Sequence, residues 1–198
     1  MNTQKAAFSL TFVLYDEGNV FAWLMALLSL CPVFIFIFIF GLVVFEGSKM
    51  RKPNLAYCIG LLFNTGINLL LKQFFCYERP PTLEGLPFVK RSKCSGFPSN
   101  HSQFMAFFSV LFPFWLKERE KLLLPYTYHF LQIIIQIGCI LVAVSRVYLG
   151  YHTFIQASSG YCVGLLTGLV YLYALMNFVR RYQSYGDPRR TDAWARHQ

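Results

Sequence analysis

Acidic side chains are scarce in this chain: Asp and Glu number 9 of 198 residues, against 18 Lys and Arg. Charged residues of both signs make up only 14%, below the roughly 25% usual in soluble domains. That shortage argues against an ordinary soluble domain. The six cysteines include no Cys-x-x-Cys pair, so they give no metal-binding pattern. Cys31, Cys58, Cys139 and Cys162 lie in apolar runs and read as small core residues. Cys76 and Cys94 flank one polar loop, and a bridge between them is open if that loop faces an oxidising compartment. Residues 1–19 set one lysine, Lys5, against Asp16 and Glu17. That is the wrong charge for a cleavable signal peptide, and the apolar run that follows is too long for one. No internal repeat or low-complexity segment is found.

What the chain has in quantity is apolar length. Hydrophobic residues make up 56%, aromatic residues 18%, and the mean hydropathy is +0.44. A membrane-crossing helix needs about 20 largely apolar residues. The pattern predicts an all-α, polytopic membrane bundle of about five transmembrane helices, near 20–45, 54–75, 101–116, 124–146 and 153–179. They form a single domain over 1–181, followed by a polar tail over 182–198. The run FIFIFIF at 34–40 favours a strand by propensity. Its neighbours are equally apolar, and within lipid a helix satisfies its own backbone, so helix is expected.

A net charge of +9 on a soluble protein would suggest nucleic acid. Here the excess fits the enrichment of Lys and Arg in cytoplasmic loops, and no nucleic-acid or obligate protein partner is expected. With five spans, eleven of the eighteen Lys and Arg fall on one side: Lys49, Arg51, Lys52, Lys117, Arg119, Lys121 and the five arginines from Arg180 on. That side is expected to be cytoplasmic.

Three polar clusters fall on the opposite side. The second span ends in Lys72-x6-Arg79-Pro80, the third begins with Pro98-Ser99-Asn100-His101, and the turn after the fourth reads Ser145-Arg146-x5-His152. Lys72 and Arg79 are close to two helical turns apart and share a face if the helix continues. Asn64 and Asn68 precede them on that face, a stripe expected to look into the bundle. Arg146 and His152 are six apart and face away from each other unless the chain breaks near Gly150. His152 and Gln156 are spaced to share a helix face.

Each cluster has a plain reading by itself. Lys72 can snorkel, Arg79-Pro80 can stop a helix, Ser99 can cap one, and Arg146 can anchor at the interface. Those readings do not explain two histidines, two arginines and a lysine meeting at one end of a small bundle. Phosphate chemistry does. Arg and Lys neutralise phosphate oxygens, and a helix N-terminus is an anion site. One neutral imidazole can attack phosphorus while another protonates the departing oxygen. No metal or other cofactor is required, and the acids that would hold magnesium are missing: Glu78 and Glu84 are the only ones nearby.

The ordered set Lys-x6-Arg-Pro, Pro-Ser-x-His and Ser-Arg-x5-His, over residues 72–156, resembles the three-part signature of the type-2 phosphatidic acid phosphatase superfamily. The resemblance implies a helical core shared with haloperoxidase-like proteins. It implies that Lys72, Arg79, Arg146, Ser99, Asn100 and Ser145 bind phosphate, that His101 is the general acid, and that His152 is the nucleophile of a phosphohistidine intermediate. Two positions depart from the pattern. Asn100 stands where Gly is usual, and Asn tolerates a left-handed backbone best after Gly. Gln156 stands where an Asp usually orients the nucleophile, and its amide can accept a hydrogen bond from the ring. The segments PSNHSQFMAFF and SRVYLGYHTFIQ resemble those of dolichyldiphosphatases, in which Gln at that position recurs.

That resemblance implies removal of the terminal phosphate of dolichyl diphosphate at the lumenal face of the endoplasmic reticulum membrane. The product recycles the carrier lipid of N-glycosylation. The alternatives are another lipid phosphate (phosphatidate, a sphingoid phosphate, a different polyprenyl diphosphate) or a non-catalytic lipid-binding relative that keeps the fold.

Overall fold

The computed structural model describes residues 5–8, 13–80, 96–117, 119 and 124–185. Two short strands, β1 (Lys5–Phe8) and β2 (Val13–Asp16), precede six helices: α1 (Val20–Ser29), α2 (Cys31–Phe45), α3 (Ser48–Phe75), α4 (Asn100–Lys117), α5 (Pro125–Tyr148) and α6 (Phe154–Tyr185).

Among the described residues, four segments are long and apolar enough to cross a membrane: Val20–Phe45, Met50–Phe75, Tyr126–Tyr148 and Phe154–Arg180. The first was expected as one helix but is two. Asn19 starts α1 by accepting from the amides of Phe21 and Ala22, at 3.0 and 3.1 Å. The chain then hitches at Leu30, whose amide bonds back to Leu27 O. Pro32 follows near the start of α2, where a missing N–H costs least. The FIFIFIF run is helical within α2, and Phe34, Ile37, Phe38 and Phe40 lie exposed on it, as lipid-facing residues would.

The expected span at 101–116 is α4, which is not among those four segments. It is enclosed by protein instead, with contacts to α2, α3, α5 and α6. Phe107 and Leu111 at its centre are fully buried. A helix shielded in this way can carry polar side chains once they find partners. Ser102, Gln103 and Ser109 are all buried on it. Its tightest neighbour is α6. A Cβ added at Gly164 would stand 2.2 Å from Gln103 O, and one at Gly160 would stand 2.5 Å from Ser99 O. Only hydrogen at these positions lets the two backbones approach.

The hairpin was not anticipated. β1 and β2 pair antiparallel, with Lys5 opposite Asp16 and Phe8 opposite Val13. Val13 and Leu14 pack with Ala26, Leu30 and Tyr151 in a small cluster of their own. The tail expected from residue 182 starts inside a helix, because α6 continues to Tyr185; residues 186–198 lie outside the described part, as do Glu84 and Lys121.

Candidate functional site

The three sequence clusters meet at one end of the bundle. At the other end a buried polar network ties α2, α3 and the α4–α5 turn together. There, Arg119 bonds Glu46 at 2.8 Å and Asn54 at 2.7 Å, and Trp115 Nε1 donates to Asn54 at 3.0 Å.

The third cluster turns where the sequence suggested. Gly150 takes φ 74°, a conformation open to glycine. Arg146 O then accepts from the amides of both Tyr151 and His152, at 3.0 and 3.2 Å. The reversal brings His152 back to the side of Arg146. His152 therefore precedes α6 rather than sharing a helix face with Gln156, yet the two still touch: Gln156 Oε1 lies 3.3 Å from His152 Nδ1. A nearer partner is Gly96 O, at 2.9 Å. A carbonyl can only accept, so Nδ1 carries the proton and Nε2 keeps its lone pair.

Gln156 does more than touch the histidine. Its Oε1 also accepts from the Thr153 amide at 3.1 Å, and its Nε2 donates to Glu78 O at 2.9 Å. Its carbonyl accepts from the Ser99 amide at 3.0 Å. One residue thus joins all three clusters. Gly96 is confined in the same place. Its amide donates to Tyr77 O at 2.8 Å, and a Cβ there would stand 2.2 Å from Glu78 O.

Lys72 and Arg79 do not share a continuous helix as their spacing suggested. The helix α3 stops at Phe75, and Cys76 takes a left-handed φ of 45°. Cys76 is disulfide-bonded, while Cys31, Cys58, Cys139 and Cys162 are free; Cys94 lies outside the described residues. Even so, the charges converge. His152 is held down to about 3 by burial and by the charges of Arg146, Arg79 and Lys72, partly opposed by its hydrogen bond with Gln156. Burial also lowers Arg79 from its ordinary value, against the effect of the nearby Tyr151 phenol.

Ser99 caps α4. Its Oγ takes the Ser102 amide at 3.5 Å, and its carbonyl takes the Gln103 amide at 3.0 Å. Asn100 and His101 follow in the first turn, where amides have no intrahelical acceptor. Asn100 is helical, and Cys76 is the one non-glycine residue with positive φ among those described. The left-handed backbone expected at position 100 is therefore absent, so no backbone strain hangs on the choice of Asn over Gly. The Ser145 hydroxyl donates to Val142 O at 2.7 Å, so its proton turns into its own helix and away from the cluster.

The asparagine stripe of α3 faces the bundle as expected, with Asn64 and Asn68 fully buried. Its partner was not foreseen. Gln103 Nε2 donates to Asn64 Oδ1 at 3.0 Å, and Asn68 Nδ2 donates to Gln103 Oε1 at 2.7 Å and to Pro98 O at 3.3 Å. This amide network fixes the start of α4 against α3.

Several polar atoms at the site are buried with no partner: Arg79 Nε, Arg146 Nε and Nη1, and Asn100 Oδ1. Unpartnered buried donors are costly. Three such N–H groups, all on guanidinium forks, describe a place for an anion. Beside it lies a cavity of about 310 Å³, walled by Phe36 and Ile37 of α2, Leu62 of α3, and Asn100, His101 and Phe104 of α4.

Comparison with known proteins identifies the family. The family model described as the PAP2 superfamily matches residues 53–180. Dolichyldiphosphatase 1 of Mus musculus is 34% identical over 169 residues, covering 82% of this chain and 68% of that protein. Dolichyldiphosphatase of Saccharomyces cerevisiae is 31% identical over 179 residues, covering 87% and 71%. Among solved structures, Aquifex aeolicus LpxE has a TM-score of 0.57 at 20% identity, covering 79% of this chain and 88% of that one; this likeness concerns the fold. With the match spanning all three clusters and most of the helical bundle, the chain belongs to the PAP2 superfamily.

Proposed function

We propose that this membrane protein hydrolyses the terminal phosphate of a polyprenyl diphosphate, and that its substrate is dolichyl diphosphate. The observation that carries this reading is the set of unpartnered guanidinium donors on Arg79 and Arg146 beside a histidine held neutral by burial and by their charges. Relatives named dolichyldiphosphatase support the choice of lipid.

The hydrogen bonds support the following course for the reaction. The terminal phosphate enters with Arg79, Arg146 and Lys72 around its oxygens, and the first-turn amides of α4 complete the cradle. His152 donates Nδ1–H to Gly96 O, which aims the Nε2 lone pair outward for attack on phosphorus. The bond from phosphorus to the bridging oxygen breaks, and His101 gives that oxygen a proton. Dolichyl phosphate departs. His101 then takes a proton from water, which attacks the phosphohistidine, releases inorganic phosphate and restores His152. Gln156 orients the ring without adding charge. Ser145 and Ser99 support the backbone around the phosphate. The apolar cavity beside His101 suits the first isoprene units.

The excess of Lys and Arg at the far end supports a lumenal site in the endoplasmic reticulum. That side choice fits recycling of the glycan carrier lipid. The reading needs no metal. The test is phosphate release from dolichyl diphosphate by purified protein in detergent with excess chelator, beside His152→Gln and with phosphatidate as a second substrate. Chelator-insensitive release from dolichyl diphosphate, lost at least about a thousandfold in the variant, is the expected result. Release from phosphatidate alone would change the lipid, and release from neither would remove the enzymatic reading.

A further inference from the structure

Arg146 is central to the proposed phosphate site, yet its Nε and Nη1 are left without hydrogen-bond partners. Its guanidinium rests instead on an aromatic face: Cζ lies 4.0 Å from the centre of the Tyr151 ring. Stacking of this kind holds a guanidinium flat while leaving its edge N–H groups pointing away from the ring.

Tyr151 is in turn held by a distant part of the chain. Its hydroxyl accepts from the Leu14 amide at 2.8 Å, across 137 residues of sequence. Leu14 sits on β2, opposite Ala7 of β1. In a two-stranded antiparallel ladder, alternate residues point their backbone groups away from the partner strand. The Leu14 N–H can therefore serve Tyr151 without costing the hairpin a ladder bond. Val13, Leu14, Ala26 and Leu30 close around the ring. If Tyr151 only filled that cluster, phenylalanine would serve as well. A buried hydroxyl bonded to a strand and a cation on the ring face are more than filling requires.

We propose that Tyr151 is a positioning residue for phosphate binding, anchored by the β2 strand and presenting the Arg146 guanidinium to the phosphoryl group. The inference rests on the phosphate reading of the site. The nearby phenol also bears on Arg79, so both forks lie within its influence.

The test compares wild type, Tyr151→Leu, Tyr151→Phe and Leu14→Pro in detergent. Binding of inorganic orthophosphate is measured by calorimetry, and kcat and KM are measured with dolichyl diphosphate. Tyr151→Leu removes the aromatic face and is expected to weaken orthophosphate about tenfold and raise KM similarly, with kcat within about threefold. Tyr151→Phe removes only the anchoring hydroxyl, and Leu14→Pro removes the amide that donates to it together with the leucine packing; both should lose about two- to threefold in the same measurements. In an Arg146→Lys background, Tyr151→Leu should have little further effect on orthophosphate.

Orthophosphate affinity equal to wild type in Tyr151→Leu would overturn the inference. So would a lower melting temperature with no separation of KM from kcat. If Tyr151→Leu fails to fold, unchanged affinity in both Tyr151→Phe and Leu14→Pro would overturn it as well. Wild type that binds no orthophosphate would overturn the phosphate reading and this inference together. Wild type that binds it equally with the variants would overturn this inference alone.

Discussion

His152 is held neutral before any substrate arrives. Burial and three cations hold it down to about 3, against an ordinary value near 6.5. Between those values the unfolded chain binds a proton that the folded chain does not. Stability therefore falls as pH drops from about 6.5 toward 3. Thermal unfolding of wild type should show that slope, and His152→Gln should flatten it. Gln156 suggests a second measurement. Gln156→Asp loses the donor to Glu78 O and places a carboxylate near the ring, which favours the imidazolium. An acid limb should then rise into the pH–rate profile between about 5 and 7, with lower activity at its acid end. The gathering of Arg79, Arg146 and Lys72 around His152 could be anticipated ahead of the structure because histidine, arginine and lysine declare their chemistry by type. The Gly96 carbonyl could not, since every residue carries one. Tyr151 was equally silent, because its partner Leu14 offers only a backbone amide.

At the level of elements, packing between α4 and α6 places Ser99 against the start of α6. The amide of Ser99 bonds Gln156 O, so any movement of α6 moves the cap of α4. Gly164→Leu would force a side chain into Gln103 O. It should lower stability by about 1–3 kcal/mol and reduce kcat, as read by denaturation in detergent and by turnover. The helices were legible because long charge-free runs have one stable form in lipid. The break at Leu30 was signalled by Pro32, yet the run reads as unbroken when hydropathy alone is weighed. The hairpin left almost no signal. Four-residue strands are short of a recognisable period, and their stability comes from packing on Ala26, Leu30 and Tyr151 rather than from their own sequence. The α3 stop at Cys76 likewise escaped the spacing argument for Lys72 and Arg79. Their charges converge on His152 by way of a chain reversal, not a shared helix face.

Across the whole molecule, chemistry gathers at one end and a structural clasp at the other. Arg119 joins α2 and α3 through Glu46 and Asn54 and lies 3.9 Å over the Trp115 ring. Arg119→Ala should strip the clasp and lower the melting temperature, a cost of about 1–3 kcal/mol, while leaving KM for the lipid unchanged. That contrast, measured beside Tyr151→Leu, separates holding the bundle together from shaping its site. The two ends could be told apart in the sequence because loop charges are counted, not folded. The enclosure of α4 was less legible, since burial by protein and burial by lipid draw on the same apolar residues.

The cavity beside His101 has a consequence for direction. On the proposed reaction the two products differ in where they can go. One remains greasy and slides away sideways between α2, α3 and α4, whereas the other dissolves. Once they part, they seldom meet again in the same pocket, because one is confined to a sheet of lipid and the other is diluted through a volume of water. Separation by solubility would then work as a ratchet, keeping the reaction running toward the monophosphate without any moving gate.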